Sequence, residues 1–179
     1  MIPYASSGRP RVGLFGLSLA LVTFFAGCAH YQLGTSAAGP DFRSIYIAPV
    51  SNLGGTPQVV APVTRAIRTH FLNDGRAALV NSPESAEVLL DITLVSYSRD
   101  FTAVLPTDTA LARKFELTLT AKCTLRDQRT GAVLFLDREI KSTRQIFVDG
   151  GQNPAEYQVI PQLADQLAER ISHAVLDVW

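Results

Sequence analysis

Residues 115–126 alternate without a break. Phe115, Leu117, Leu119, Ala121, Cys123 and Leu125 fall on one face, and Glu116, Thr118, Thr120, Lys122, Thr124 and Arg126 on the other. A strict period of two is a strand with one dry and one wet face, the pattern of a half-buried antiparallel sheet. A dry sheet face must be covered by a second layer, so this stretch already demands helices or another sheet above it. Asp127-Gln128-Arg129-Thr130-Gly131 reads as a hairpin turn into a second strand over residues 132–143. Upstream, residues 87–97 alternate as well, with Val88, Leu90, Ile92 and Leu94 on one face. Leu89, Asp91, Thr93, Val95 and Tyr97 fall on the other. Residues 98–113, containing Pro106 and Asp108, read as a looser connection between the long strands.

The covering layer is legible too. Val63, Ile67 and Phe71 recur at helical spacing, and Asn73-Asp74-Gly75 supplies a stop with glycine as the left-handed cap. Thr56-Pro57 offers a cap and a first-turn proline, while Pro62 moves the start to about residue 61 or bends the helix there. Asn153-Pro154-Ala155-Glu156 reads as a second helix start with a capping glutamate. The stripe Leu163, Leu167, Ile171, Ala174, Val175 and Val178 follows, with Pro161 expected to kink or delay the first turns. Residues 45–50 form a short β-rich run that Pro49 confines to an edge or a strand end. Ser51-Asn52-Leu53-Gly54-Gly55 reads as a loop, and Ala78-Leu79-Val80 as a brief extended piece. The expectation is an α+β two-layer sandwich in the order β-α-β-β-β-α. Its two helices pack on one face of a mostly antiparallel four-stranded sheet.

The first 27 residues read as an address rather than as structure. Arg9 and Arg11 form a basic start, and a nearly apolar run from residue 12 to 25 is short of the roughly 20 residues of a membrane span. Ala26-Gly27-Cys28 then resembles the small-small-Cys pattern of a bacterial lipoprotein, with Phe25 where leucine is usual. On this reading residues 1–27 are a lipoprotein signal peptide, and Cys28 carries a covalent lipid. Residues 28–43 form the tether and residues 44–179 a single domain. Two or more acyl chains hold a protein stably on a bilayer. Ala29, where an aspartate would resemble an inner-membrane retention signal, favours the outer membrane on its periplasmic side.

Without the leader, 14 basic residues face 16 acidic ones in 152 residues, a net charge of about −2. That balance argues against a nucleic-acid binder. Cys123 is the one remaining cysteine, so no internal disulfide forms and no metal-ligand spacing exists. His30, His70 and His173 are scattered, and neither HExxH, GxSxG nor a phosphate-cradling glycine loop occurs. Cys123 lies on the dry face, where an inert thiol is the default. Asp91 and Glu116 are single sheet-surface carboxylates. The reading is that of a non-enzyme without a cofactor other than the lipid on Cys28.

Taken in order, the pieces resemble the LptE family of lipopolysaccharide-assembly lipoproteins. Cys28-Ala29-His30-Tyr31-Gln32-Leu33 is similar to the family's start, and Ile45-Tyr46-Ile47-Ala48-Pro49-Val50-Ser51-Asn52 to its first strand and loop. Thr64-Arg65-Ala66-Ile67 and Phe71-Leu72-Asn73-Asp74-Gly75-Arg76 resemble its first helix. Ser96-Tyr97-Ser98-Arg99, Leu117-Thr118-Leu119-Thr120-Ala121 and Arg129-Thr130-Gly131-Ala132-Val133-Leu134 resemble its later strands. Ala29 in place of glycine and the two helix prolines are departures. The resemblance implies a plug and assembly partner of the LptD β-barrel in the outer membrane, binding lipopolysaccharide during insertion into the outer leaflet. The wet face with Thr118, Thr120, Lys122, Thr124 and Arg126 suits a polar interface with a barrel wall. Lipopolysaccharide carries phosphates that arginine and lysine bind. Candidates for that contact are Arg99, Arg113, Lys114 and Arg144. The alternative is an accessory outer-membrane lipoprotein of another lipid-transport or secretion complex with the same layout.

Overall fold

Three long antiparallel strands carry the architecture. The computed structural model of the chain describes residues 40–104, 113–148 and 153–177, all within one unit, Ala37–Trp179. The elements are β1 (Ser44–Ile47), β2 (Ser51–Asn52), α1 (Val60–Asp74), β3 (Ala78–Leu79), β4 (Val88–Val104), β5 (Arg113–Asp127), β6 (Val133–Val148) and α2 (Asn153–Leu176). The sheet runs β3-β1-β4-β5-β6, with β2 also paired to β4. The α+β layout therefore stands, but the sheet has six strands, not four. Neither extra strand has enough length for a period to show. β3 pairs parallel with β1 because α1 returns the chain beside it, and β2 pairs parallel with β4 just beyond β1. Partners shift by one residue between Ile47↔Leu90 and Ser51↔Thr93. Pro49, which has no N–H to donate, lies in that break, so the strand ends where the sequence placed its end.

Both helices cover the dry face. α1 buries Val63, Ile67 and Phe71, while α2 buries Leu163, Leu167, Ile171 and Val175 of the expected stripe together with Ile160, Ala164, Ala168 and Leu176. Beneath them lie Val88, Leu90, Ile92 and Leu94 of β4 and Leu117, Leu119, Ala121, Cys123 and Leu125 of β5. Each fully buried leucine contributes roughly 1.5–3 kcal/mol relative to exposure. Ser142, buried on this side, donates its hydroxyl proton to Leu163 O at 2.9 Å and ties β6 to α2. Val178 of the expected stripe lies outside the described residues.

Prolines and glycines act locally. Thr56-Pro57 opens a short 3-10 turn, Pro57–Val59, and Thr56 makes no side-chain cap. Pro62 is the third residue of α1, among the first-turn positions whose N–H groups have no helical acceptor, so the helix tolerates it. Gly75 closes α1 at φ 72°, donating to Phe71 O at 3.4 Å. α2 runs on through Pro161. The β5–β6 turn is held by Asp127, whose Oδ1 accepts from the N–H groups of Arg129 at 2.8 Å and Thr130 at 2.9 Å. Beyond α1 and α2, Arg76 bonds Asp74 at 2.7 Å and Asp177 at 2.6 Å, fastening the two helix ends together. The expected loose connection is shorter than read: β4 continues to Val104 and β5 begins at Arg113, while Pro106 and Asp108 lie outside the described residues.

Candidate functional site

The end of the sheet farthest from the β5–β6 turn gathers most of the candidate cations. Pairing of β4 with β5 slips by one residue between Leu94 and Ser96, a bulge at Val95. A bulge reverses which face every following residue occupies. Tyr97 pairs with Leu119, Arg99 with Leu117 and Phe101 with Phe115, so these three stand on the helix-covered side. This corrects the assignment of Tyr97 to the wet face. The signal was present: after Leu94-Val95 the polar phase passes to Ser96, Ser98 and Asp100.

The first turns of α2 set Glu156 over this segment. Tyr97 donates its phenolic proton to Glu156 Oε1 at 2.7 Å, and Arg99 donates to Glu156 Oε2 at 3.4 Å. Burial, reinforced by the hydrogen bond to the carboxylate, pushes the Tyr97 phenol well above its ordinary range. The Arg99 guanidinium also lies over the Phe115 ring at 4.2 Å from its centroid, a cation–π contact. Phe101 meets Phe115 edge-to-face at 5.7 Å. Both oxygens of Glu156 thus accept from side chains of the sheet, while the Asn153 side chain of the expected cap lies outside the described residues.

Leu117 pairs with Arg99 on one side and Arg144 on the other. The two arginines therefore occupy one row across three strands, about 10 Å apart along the sheet. Arg144 is exposed and makes no ion pair among the described residues. Two exposed aromatics belong to this end: Phe101, 55% exposed and packed edge-to-face on Phe115, and Tyr157 of α2, 61% exposed and next in sequence to Glu156. Lys114 pairs with Ala103 and Phe147 on the opposite, uncovered face of the same end. The backbone of Arg113 pairs with Val104 and Val148. Arg99 and Arg144 come together, Lys114 stands behind them, and Cys28 lies outside the described residues.

Beyond the row Leu89–Arg126–Val133 at the turn end, the uncovered face is mostly polar. Thr93, Lys122 and Glu139 share a row, and Lys141 pairs with Glu139 at 2.6 Å, holding that carboxyl below its ordinary range. Thr124 is buried and accepts from Asp137 N at 3.1 Å. Burial pushes the Cys123 thiol up to about 12. His70 reaches Asp165 at 2.9 Å between the helices, and His173 bonds Asp177. Among the described residues, no three metal-ligating side chains cluster, and no helix is long and apolar enough to cross a membrane.

Comparison with known proteins places this geometry. No curated protein matches the chain. Among solved structures, the hypothetical protein CT253 from Chlamydia trachomatis aligns at a TM-score of 0.54 with 10% identity, over 75% of this chain and 95% of that one. This is a likeness of fold alone. Rare lipoprotein B from Shewanella oneidensis aligns at 0.49 with 18% identity, over 72% and 92% of the two chains. Uncharacterized lipoprotein B from Nitrosomonas europaea aligns at 0.48 with 23% identity, over 79% and 86%. The sequence model of the family LptE, described as lipopolysaccharide-assembly, matches residues 42–175. That span takes in every described strand and both helices up to the last turn of α2, and the chain belongs to the LptE family.

Proposed function

We propose that this chain is a lipid-anchored lipoprotein, attached through Cys28 to the outer membrane and facing the periplasm. It partners an LptD-type β-barrel as plug and assembly factor and binds lipopolysaccharide during insertion into the outer leaflet. It makes and breaks no bond itself. Family membership supports lipopolysaccharide assembly. The observation that carries the binding reading is the row Arg99–Leu117–Arg144 with exposed Phe101 in the adjoining Phe101–Phe115 pair. Two cations spaced across a sheet, with aromatic surface next to them, suit an amphiphile that joins phosphates to acyl chains. Arg144 offers a guanidinium without an ion pair among the described residues, and Arg99 one held in place by Glu156 and Phe115. Lys114 adds charge at the same end, where the backbone of Arg113 also lies. The polar uncovered face suits the wet wall of a barrel lumen.

Binding of lipopolysaccharide to the full chain tests this. A lost charge-assisted bond costs roughly 1.5–3 kcal/mol, so Arg144→Ser weakens binding about 10- to 100-fold, and removing the phosphates from the ligand has a like effect. Equal affinity of the wild type and Arg144→Ser for both ligands would overturn the assignment.

A further inference from the structure

Part of β4 has a bare edge. β1 and β2 pair with this strand only as far as Leu94. Leu90 O accepts from Ala48 N at 3.0 Å, and Leu94 O from Leu53 N at 2.8 Å. In this part of β4, the residues under the helices therefore aim their backbone groups at β1 and β2. Residues on one face of a strand present their N–H and C=O to one edge. The bulge at Val95 passes that face, and with it that edge, to Tyr97, Arg99 and Phe101. Gly54 closes the edge at Ser96, where a Cβ on the glycine would come within 3.1 Å of Ser96 Cα. Beyond Ser96, no strand among the described residues takes the backbone groups up.

The bare segment is regular and undefended. Ser96–Phe101 lies between two register shifts, Leu94/Ser96 and Phe101/Ala103, and pairs evenly with β5 in between. Such a length, about six residues, is that of an ordinary strand. It contains neither proline nor lysine, and Arg99 is drawn onto Glu156 and Phe115 instead of guarding the edge. β6 shows the contrast. There the register slips twice, and Asp137 stands at φ 47°. Farther along, Arg170 donates to Lys141 O, and Gln166, with its amide oriented to donate, reaches Thr143 O at 3.2 Å. Bulges and covered carbonyls keep foreign strands off an edge.

We propose that the open edge of β4, from Tyr97 to Phe101, accepts an extended segment of the barrel partner, which joins the sheet as an added strand. The proposal rests on the reading of this chain as a barrel plug. A closed barrel pairs all its own strand edges, so the segment belongs to a loop or to chain outside the wall. Backbone bonds supply the attachment, and the neighbouring side chains select the sequence. Phe101, exposed on the helix-covered side, favours an apolar residue opposite. Asp100, exposed on the other side and accepting from Ser98 Oγ at 3.1 Å, favours a basic one. A second copy of this chain fits worse. Antiparallel registers centred on Arg99 or on Asp100 set like charges opposite each other, and one centred on Ser98 runs into Gly54.

The full-length chain in complex with its barrel, purified from the native host, tests this by amide hydrogen exchange resolved to single residues. Ser98 and Asp100, whose N–H groups face β5, serve as slow internal references. Tyr97, Arg99 and Phe101 are expected to exchange as slowly as these two. Exchange about tenfold or more faster at the three would mean an open edge and overturn the proposal. A pair of variants separates backbone from side chain. Phe101→Pro removes an N–H from the open edge and none from the β5 ladder, whereas Phe101→Ala removes only the ring. Phe101→Pro should recover several-fold less barrel than Phe101→Ala, and equal recovery would contradict the added strand. If no barrel accompanies the wild type, the plug reading falls and the proposal with it. A barrel complex in which the three amides stay open leaves the plug reading standing and removes the proposal alone. A homodimer with the three amides slow would assign the edge to a second copy instead.

Discussion

Tyr97 and Glu156 are joined by a 2.7 Å hydrogen bond that ties the middle of β4 to the first turns of α2. The bond exists because Val95 is bulged out of the β4–β5 ladder, which turns Tyr97 toward the helices. Arg99 shares the same carboxylate.

Tyr97→Phe keeps the ring and removes the donor. Glu156 keeps Arg99, so the carboxylate is not left alone. The expected loss is roughly 1.5–3 kcal/mol, the range for a hydrogen bond to a charged group, read as a lower urea midpoint with an unchanged slope. An unchanged midpoint would show that the bond does not hold in solution.

The Arg76 cluster gives the fold an acid limit. Asp74 is held below its ordinary value chiefly by its hydrogen bond with Arg76, and Asp177 by His173 and then Arg76. A carboxyl depressed in the folded state stabilises above its unfolded value of about 3.9 and ceases to as pH falls through its folded value. Melting temperature should therefore drop below about pH 4. Arg76→Ala should lower it at neutral pH and flatten the acid limb; an identical limb would remove this cluster from the acid response.

Cys123 should be inert in the folded protein. Its thiol is buried and pushed up to about 12, and the thiolate is the reactive form. Alkylation at pH 8 should leave it unmodified until denaturant is added. Rapid labelling of the native chain would contradict the packing of β5 under the helices.

Gly75→Ala isolates backbone strain. A Cβ built at Gly75 meets nothing within 4 Å, so space is not the constraint, but φ is 72°. An L-residue held there costs roughly 1–2 kcal/mol, to be read from chemical unfolding. A neutral substitution would show that the end of α1 relaxes.

The long strands were legible because alternation persists in Val88, Leu90, Ile92 and Leu94 and through β5, and the helices because Ile67 and Leu167 sit in stripes of the right period. Two things escaped. β2 and β3 are two residues each, and pairing partners brought by α1 define them rather than any pattern of their own. The site escaped for a subtler reason: one bulged residue, Val95, reverses the face of Tyr97, Arg99 and Phe101, and a period counted through the bulge assigns them wrongly. Arg99 and Arg144 were singled out as charges, but only the register through Leu117 shows that they share a row. The sheet partners of Glu156 lie 59 and 57 residues away, so no local pattern points to them.

The central claim is that this LptE-family chain works as the partner of a large outer-membrane barrel. The full-length chain, tagged at its C-terminus and expressed in its native host, is extracted gently from the outer membrane, and what co-purifies is identified. The account predicts a large β-barrel protein of the LptD type in equal amount. Recovery of the chain alone, or with inner-membrane transport or secretion components, would contradict it.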